Sequence, residues 1–339
     1  MSDNQSLEPN PPRALWMRFE TIHAVTYFGA ESAEAAKAIG LDSWCKGYFA
    51  FRAAPLGLCT PGVLDAAFHS FSLPFVRRWV PAIWDATTPA IALATRSAAA
   101  AATLRRVATD AELELNAFAE QAKALLEPVI PNCQWSGRPV FAANRDVALP
   151  IDPVEGLWQL CTLLREHRGD GHVIACTAAG ISGLQAHVLI AIEQSNSFDD
   201  LSRTRGWTTD QWNVALEGLR HQGLVTIQNR ENPEYPESHE TGKNHENLKG
   251  FMAADIKSQM VLTDRGRAIR AEIESTTDTL AAAPFQELAA QTTKTAGASA
   301  NTCLAKLTHA LDPLARAVAA SGTIRYPNPM GLPAINLKA

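Results

Sequence analysis

Residues 157–180 read LWQLCTLLREHRGDGHVIACTAAG, which sets Arg165, Glu166, His167, Arg168, Asp170 and His172 inside an apolar stretch. Flanks this apolar place part of the cluster inside the protein, where a charge must be paired or bind something. Gly169 and Gly171 lie in the same run. Each costs about 1 kcal/mol in a helix relative to Ala, which is tolerated where another backbone or a ligand must come close. A counterpart stands earlier in the chain, where His23, Tyr27, Tyr48, Arg52 and His69 also have apolar neighbours.

Three chemistries fit these residues. A structural ion-pair network would set Arg52 and Arg168 against Asp170 or Glu166. A pocket for an anionic or aromatic small molecule, an effector site, would be lined by His23, Tyr27, Tyr48, Arg52, Arg165, His167, Arg168, Asp170 and His172. A metal or acid–base site would use His23, His167, His172 and Asp170. His167 and His172 are spaced i,i+5, not the i,i+4 that puts two His on one helix face, so a break at Gly169 would have to repair the geometry. His69, His187 and His309 are read as core histidines, and His221 as a cation suited to a helix C-terminus.

These residues need helices to position them. Residues 14–28, 31–54, 110–127 and 153–179 have helical patterning, the last interrupted at Gly169 and Gly171. Pro74 and Pro81 are expected to cut the run at 64–84 into short helices. Pro89 suits the first turn of the next helix, which runs to Val107. The prolines and glycine of 128–153 read as an extended linker. GLQAHVLIAIEQ, SFDDLSRTRGW and TTDQWNVALEGLRHQGLV follow, each with helical period, and LVTIQN and SQMVLT alternate like strands. Thr208 or Thr209 caps the third of these helices and Gly223 stops it.

Residues 182–274 are similar to the MarR-type winged helix-turn-helix. The resemblance rests on Leu219-Arg-His-Gln-Gly223-Leu224-Val225 at the end of the recognition helix and on Leu262-Thr263-Asp264-Arg265-Gly266 after the wing. It implies that Gln211 and Asn213 reach base edges and that Arg203, Arg205 and Arg220 touch DNA backbone. Asp210 and Glu217 share the helix. Between Arg230 and Met260 the wing carries Glu231, Glu234, Glu237, Glu240, Glu246 and Asp255 against Arg230, Lys243, Lys249 and Lys257. That balance is acidic where a wing entering a minor groove is usually basic.

The whole chain also resembles a group of actinobacterial helix-turn-helix proteins of unassigned function. HAVTYF (23–28), GYFAFRAAPLG (47–57), LLREHRGDGHV (163–173) and TRGW (204–207) carry the likeness, which covers roughly 14–320. No reaction comes with it. The polar insertion at about 230–258 departs from the group's pattern and falls on the wing.

Two halves echo each other. Arg52 precedes Trp84 by 32 residues and Arg168 precedes Trp207 by 39, each Trp leading to a helix with a Leu-Arg pair. A duplication would make one chain imitate a two-fold dimer. The expected fold is mainly α, with duplicated winged-helix-like halves forming a single-chain pseudo-dimer and a small β-wing in the C-terminal half. Its parts are a loose tail (1–13), an N-terminal helical half (14–127), a linker (128–152), a half with the winged helix (153–285), a helical segment (286–320) and a second tail (321–339).

Composition narrows the function classes. The 339 residues are 46% hydrophobic and 19% charged, with net charge -5, which excludes a generally basic nucleic-acid coat. No run of about 18 apolar residues suggests a membrane span, and the polar N-terminus lacks a signal-peptide pattern. The six Cys include no CxxC pair and read as buried reduced thiols, so a cytoplasmic protein is expected. Walker, dinucleotide and Gly-x-Ser-x-Gly patterns are absent. The reading that follows is a ligand-binding, MarR-like regulator, monomer or homodimer, with a small-molecule effector and double-stranded DNA as partners. No cofactor is assigned. A small-molecule or metal-dependent enzyme using the same cluster, and a winged-helix scaffold that binds no DNA, are the alternatives.

Overall fold

Asn10 caps the first helix, α1 (Pro11–Phe28), by accepting from the Arg13 amide at 2.9 Å, and prolines fill the first turn where no amide partner is needed. The computed structural model describes residues 10–194, 202, 204–227, 260–296, 299–328 and 330–336. Arg203 and wing residues 230–259 lie outside the described residues.

The chain divides into two compact units, Met1–Ala175 with Glu274–Ala339, and Cys176–Ile273. The division does not fall at the expected linker: residues 153–175 and 274–320 group with the N-terminal part. In the first unit α1 is followed by α2 (Ala30–Ala38), α3 (Trp44–Ala53), α4 (Pro61–Phe68), α5 (Leu73–Ala86), α6 (Pro89–Asp110), α7 (Leu115–Leu126) and α8 (Pro139–Arg145). Then come α9 (Pro153–Ala178) and, near the C-terminus, α13 (Ala300–Ala320), which packs along α1. Phe141, Leu157, Trp158, Leu311 and Leu314 lie in one buried core, and Phe49, Phe68 and Phe71 anchor a second.

Several expectations fail here for physical reasons. Pro81 does not break α5, because it lies on the exposed side, where water can satisfy the freed carbonyl. Residues 128–152 are not an extended linker. They hold a 3-10 turn (Glu127–Asn132) and α8, with Val129, Cys133 and Phe141 buried, because Pro128 and Pro139 start helical turns. The C-terminal stretch expected to be loose is packed: Ile324, Leu332 and Ile335 are buried, and Asn328 both donates to and accepts from the Leu332 backbone. α9 runs unbroken through Gly169 and Gly171. A Cβ at Gly171 would lie 2.6 Å from Arg138 Nη1, so this glycine admits a neighbouring side chain. Trp84 sits inside α5, whereas Trp207 precedes a helix, so the paired tryptophans of the expected repeat occupy different local structures.

The second unit holds α10 (Gly183–Gln194), α11 (Thr209–His221), β1 (Val225–Ile227), β2 (Met260–Leu262) and the start of α12 (Asp264–Ala296). Thr208 and Gln211 form a reciprocal capping box at the head of α11, and Trp212, Ala215, Leu216 and Leu219 bury its inner face. Gly223, at φ +68°, turns the chain into β1. β1 and β2 pair antiparallel with Val225 opposite Leu262. Thr263 Oγ1 accepts from the Gly266 amide and donates to the Gly223 carbonyl, tying α12 to the turn after α11. Among the described residues no single helix is long and apolar enough to cross a membrane.

Gly266 has no room for a side chain, since a Cβ there would stand 2.0 Å from the Leu224 carbonyl oxygen. Gly266→Ala is expected to destabilise the second unit by about 3 kcal/mol, read as an earlier transition in urea. Gly62→Ala, in open space on α4, is expected to be neutral or to stabilise by about 0.5 kcal/mol.

Candidate functional site

α9 presents its polar residues on three faces, because successive positions turn by about 100°. On the first face Glu166 is 2% exposed and receives Arg52 from α3, Nε to Oε1 at 3.2 Å and Nη2 to Oε2 at 3.3 Å. Arg165 Nη1 donates to the same carboxylate at 2.7 Å, and its Nε reaches Glu20 of α1 at 3.3 Å. Burial alone would raise the Glu166 pKa, but attraction from Arg165 and Arg52 prevails and takes it from 4.5 to about 2. Arg52 also donates to the Tyr48 hydroxyl and stacks 4.1 Å over the Phe68 ring.

Beside this network a chain of neutral hydrogen bonds crosses from α9 to α1. Thr162 Oγ1 donates to the Trp158 carbonyl, so toward His23 Nδ1, 2.9 Å away, it accepts. That puts the imidazole proton on Nδ1 and leaves Nε2 to accept from the Tyr27 hydroxyl at 3.1 Å. Burial, then repulsion from Arg165, holds His23 well below the usual histidine range, so the ring stays neutral. Burial likewise raises Tyr27, which remains a phenol.

Arg96 joins the same region from α6, and the Ala-rich sequence around it gives no sign of this role. It is 4% exposed and donates to the Phe51 carbonyl at 2.7 Å, to Asn144 Oδ1 at 2.9 Å and to Gln159 Oε1 at 3.3 Å. Burial takes its pKa down to about 10. A cavity with room for about one water molecule lies among His23, Thr26, Arg52, Arg96 and Glu166.

His167 and Asp170 turn to a second face. Asp170 accepts from the Phe141 amide at 2.8 Å, Arg138 donates to the His167 carbonyl, and the His167 ring meets Phe141 edge-on. Burial lifts Asp170 from 3.8 to about 7 and depresses His167 to about 3. Arg168 and His172 take a third face toward α12. Arg168 reaches Asp278 at 3.0 Å and Glu274 at 3.2 Å, and His172 Nδ1 lies 3.1 Å from Thr277 Oγ1.

The expected pocket of nine residues therefore does not form. Tyr48, Arg52, Arg165, His23 and Tyr27 gather on the first face, while His167, Arg168, Asp170 and His172 leave it. Arg52 meets Glu166 as expected for an ion-pair network, but Arg168 pairs with Glu274 and Asp278, not with Asp170. The metal set is likewise dispersed, and among the described residues no three His, Cys, Asp or Glu gather to hold an ion. His309 is exposed, not a core residue, while His187 is buried.

A family model described as a helix-turn-helix family matches residues 12–325. The chain belongs to this helix-turn-helix family. No curated protein and no solved structure matches it. The helix-turn-helix match takes in nearly the whole chain, so it covers the buried network as well as α10 and α11.

The expected DNA-facing residues of the helix-turn-helix chain are placed unevenly. Gln211 and Arg220 are exposed on α11 and Asn213 is half-buried, but Gln211 is engaged in the capping box and Arg220 pairs with Glu217 at 2.7 Å. Arg205 is 6% exposed, so it faces the interior and not a phosphate. Arg203 lies outside the described residues. The outer stripe of α11 is Asp210, Val214, Glu217 and His221.

Glu166→Gln leaves buried Arg52 without a carboxylate and Arg165 with Glu20 alone, and is expected to cost about 3–5 kcal/mol in urea unfolding. Folding lowers the Glu166 pKa, so the stability it supplies is complete above 4.5 and is lost as pH falls through about 2. Asp170 has the opposite sign. Its contribution is greatest below 3.8 and is lost as pH rises through about 7. Asp170→Asn keeps an acceptor for the Phe141 amide, and is expected to stabilise the protein at pH about 8 by on the order of 1–4 kcal/mol and to flatten the pH profile of its melting temperature.

Proposed function

We propose that this chain is a DNA-binding transcriptional regulator whose second unit is a MarR-like winged helix, with α11 as the reading helix. The observation that carries the proposal is α11 itself. It is capped at its head, buried along one side and solvent-facing along the other, and it leads through Gly223 into a two-stranded antiparallel ladder. That order, helix, helix, strand, strand, helix, together with membership of a helix-turn-helix family, favours DNA over a purely structural role. Val214, 73% exposed on the outer stripe, suits a thymine methyl, and Arg220 suits a phosphate.

An organic effector in the α9 cluster is not part of this reading, because the cavity there is far smaller than the roughly 300–1,000 Å³ that drug-sized ligands occupy. The enzyme alternative loses its site with the dispersal of His23, His167, His172 and Asp170.

Retardation of genomic DNA fragments in gels at about 50 and 200 mM salt tests the proposal, with affinity falling steeply between the two. Arg220→Ala is expected to weaken binding to all bound fragments alike and to lower the salt slope by about 1. Glu217→Gln, which frees Arg220 and removes a like charge from the phosphates, is expected to strengthen binding several-fold. No retardation of any fragment at the lower salt sinks the proposal.

A further inference from the structure

The outer stripe of α11 has a hydrogen-bonding character that narrows what it can read. Asp210, Val214, Glu217 and His221 recur at i, i+4, i+7 and i+11, so they follow one line along the helix. Asp210 and Glu217 are exposed, and Val214 is 73% exposed. Glu217 is held in orientation: Arg220 Nη1 pairs with Oε2 at 2.7 Å and His221 Nε2 lies 3.1 Å from Oε1. A carboxylate has about four acceptor positions, so each oxygen can still take a donor. The guanidinium also offsets the charge that opposes a phosphate backbone.

Carboxylates accept and do not donate. In the major groove guanine offers only acceptors, N7 and O6, and adenine sets its N6 donor beside the N7 acceptor. Cytosine offers the N4 amino group alone. Asp210 and Glu217 are therefore opposed by a facing guanine, meet a repulsion beside each bond at adenine, and are satisfied at cytosine. Val214 lies between the two acids, and its isopropyl group suits the pyrimidine C5 edge, where thymine carries its methyl. Seven residues of helix separate Asp210 from Glu217, a rise of about 10.5 Å, which matches about three base-pair steps of about 3.4 Å. No lysine or arginine lies on the stripe to take a guanine.

On the reading of α11 as the DNA-facing helix, we infer that its target is a short tract with pyrimidines on the strand it faces, Glu217 accepting from a cytosine N4 amino group and Val214 lying against a neighbouring thymine methyl. Asp210 takes a second cytosine about three steps from the first. Glu217 is thus a specificity-determining residue: it lowers affinity for DNA in general, and lowers it most where guanine faces it. Arg220 has five N–H donors, enough to hold Glu217 and reach a phosphate together.

The test selects retained duplexes from a random-sequence library with the full chain at about 50 mM salt. Enrichment of a tract of C·G and T·A pairs, with the purines confined to one strand, is expected. Replacing the tract's thymine by uracil removes only the methyl and is expected to weaken binding about fourfold, as for one buried carbon group. In Val214→Ala that difference is expected to vanish. Replacing the opposite guanines by 7-deazaguanine is expected to change nothing, because the stripe uses no purine acceptor. Glu217→Gln is expected to raise retention generally, as above, and to move the preferred base at one position from cytosine to adenine by about tenfold, since a carboxamide pairs with N6 and N7 together. Retained duplexes with no such tract, or a loss of binding with 7-deazaguanine, overturn the pyrimidine assignment and leave the DNA reading of α11 standing. Equal binding of thymine and uracil duplexes overturns the role of Val214, and an unchanged cytosine preference in Glu217→Gln overturns that of Glu217. No retention of any duplex overturns both the assignment and the DNA reading. The base replacements use the wild-type chain, so they decide even where a variant does not fold.

Discussion

A carboxylate taken out of water must be given its counter-charges by the fold, and Glu166 draws them from two helices. Arg52 comes from α3, Arg165 from α9 itself, and Arg165 in turn is shared with Glu20 on α1. Such a network contributes little net stability, because desolvation offsets most of the attraction. Its effect is on arrangement: a slip of α9 by one residue would turn Glu166 by about 100° away from both guanidiniums. The hydrogen bonds from Thr162 through His23 to Tyr27 follow from the same register. So does the close approach of Arg138 to Gly171, which holds the opposite side of α9.

Much of the helical framework was legible because local rules agree with the tertiary structure. Pro89 and Pro153 stand at the starts of α6 and α9, and Thr208 and Gly223 mark the two ends of α11, as their chemistry requires. Where the reading failed, the deciding information was non-local. Proline density at 128–153 looks like a linker unless Phe141 is known to be buried against α9. Ile324 and Leu332 look like tail residues until the core that receives them exists.

The cluster on α9 was legible as a group of buried charges but not as a geometry. Sequence proximity suggested that Arg168 and Asp170 share a site with Arg52. Helical rotation separates them, and their partners lie far away in sequence, at Glu274, Asp278 and Phe141. Arg96 had no local signal at all, since an arginine in an Ala-rich helix reads as a surface residue until its acceptors at Phe51, Asn144 and Gln159 are known. Around α11 the sequence pattern located the helix and its cap, yet Arg205 illustrates that a basic residue just before such a helix need not face outward.

The two buried imidazoles exchange roles with a carboxyl group. His23 and His167 are held uncharged far below neutrality, so they act as fixed, directional connectors and take up no proton as the pH falls from 7 to 5. Of these three groups, the one that exchanges protons near neutrality is Asp170 of α9, whose carboxyl accepts from the Phe141 amide at the head of α8. A change of pH around neutrality is thus registered by this aspartate and passed over by His23 and His167, the reverse of the sensor chemistry that the residue names suggest.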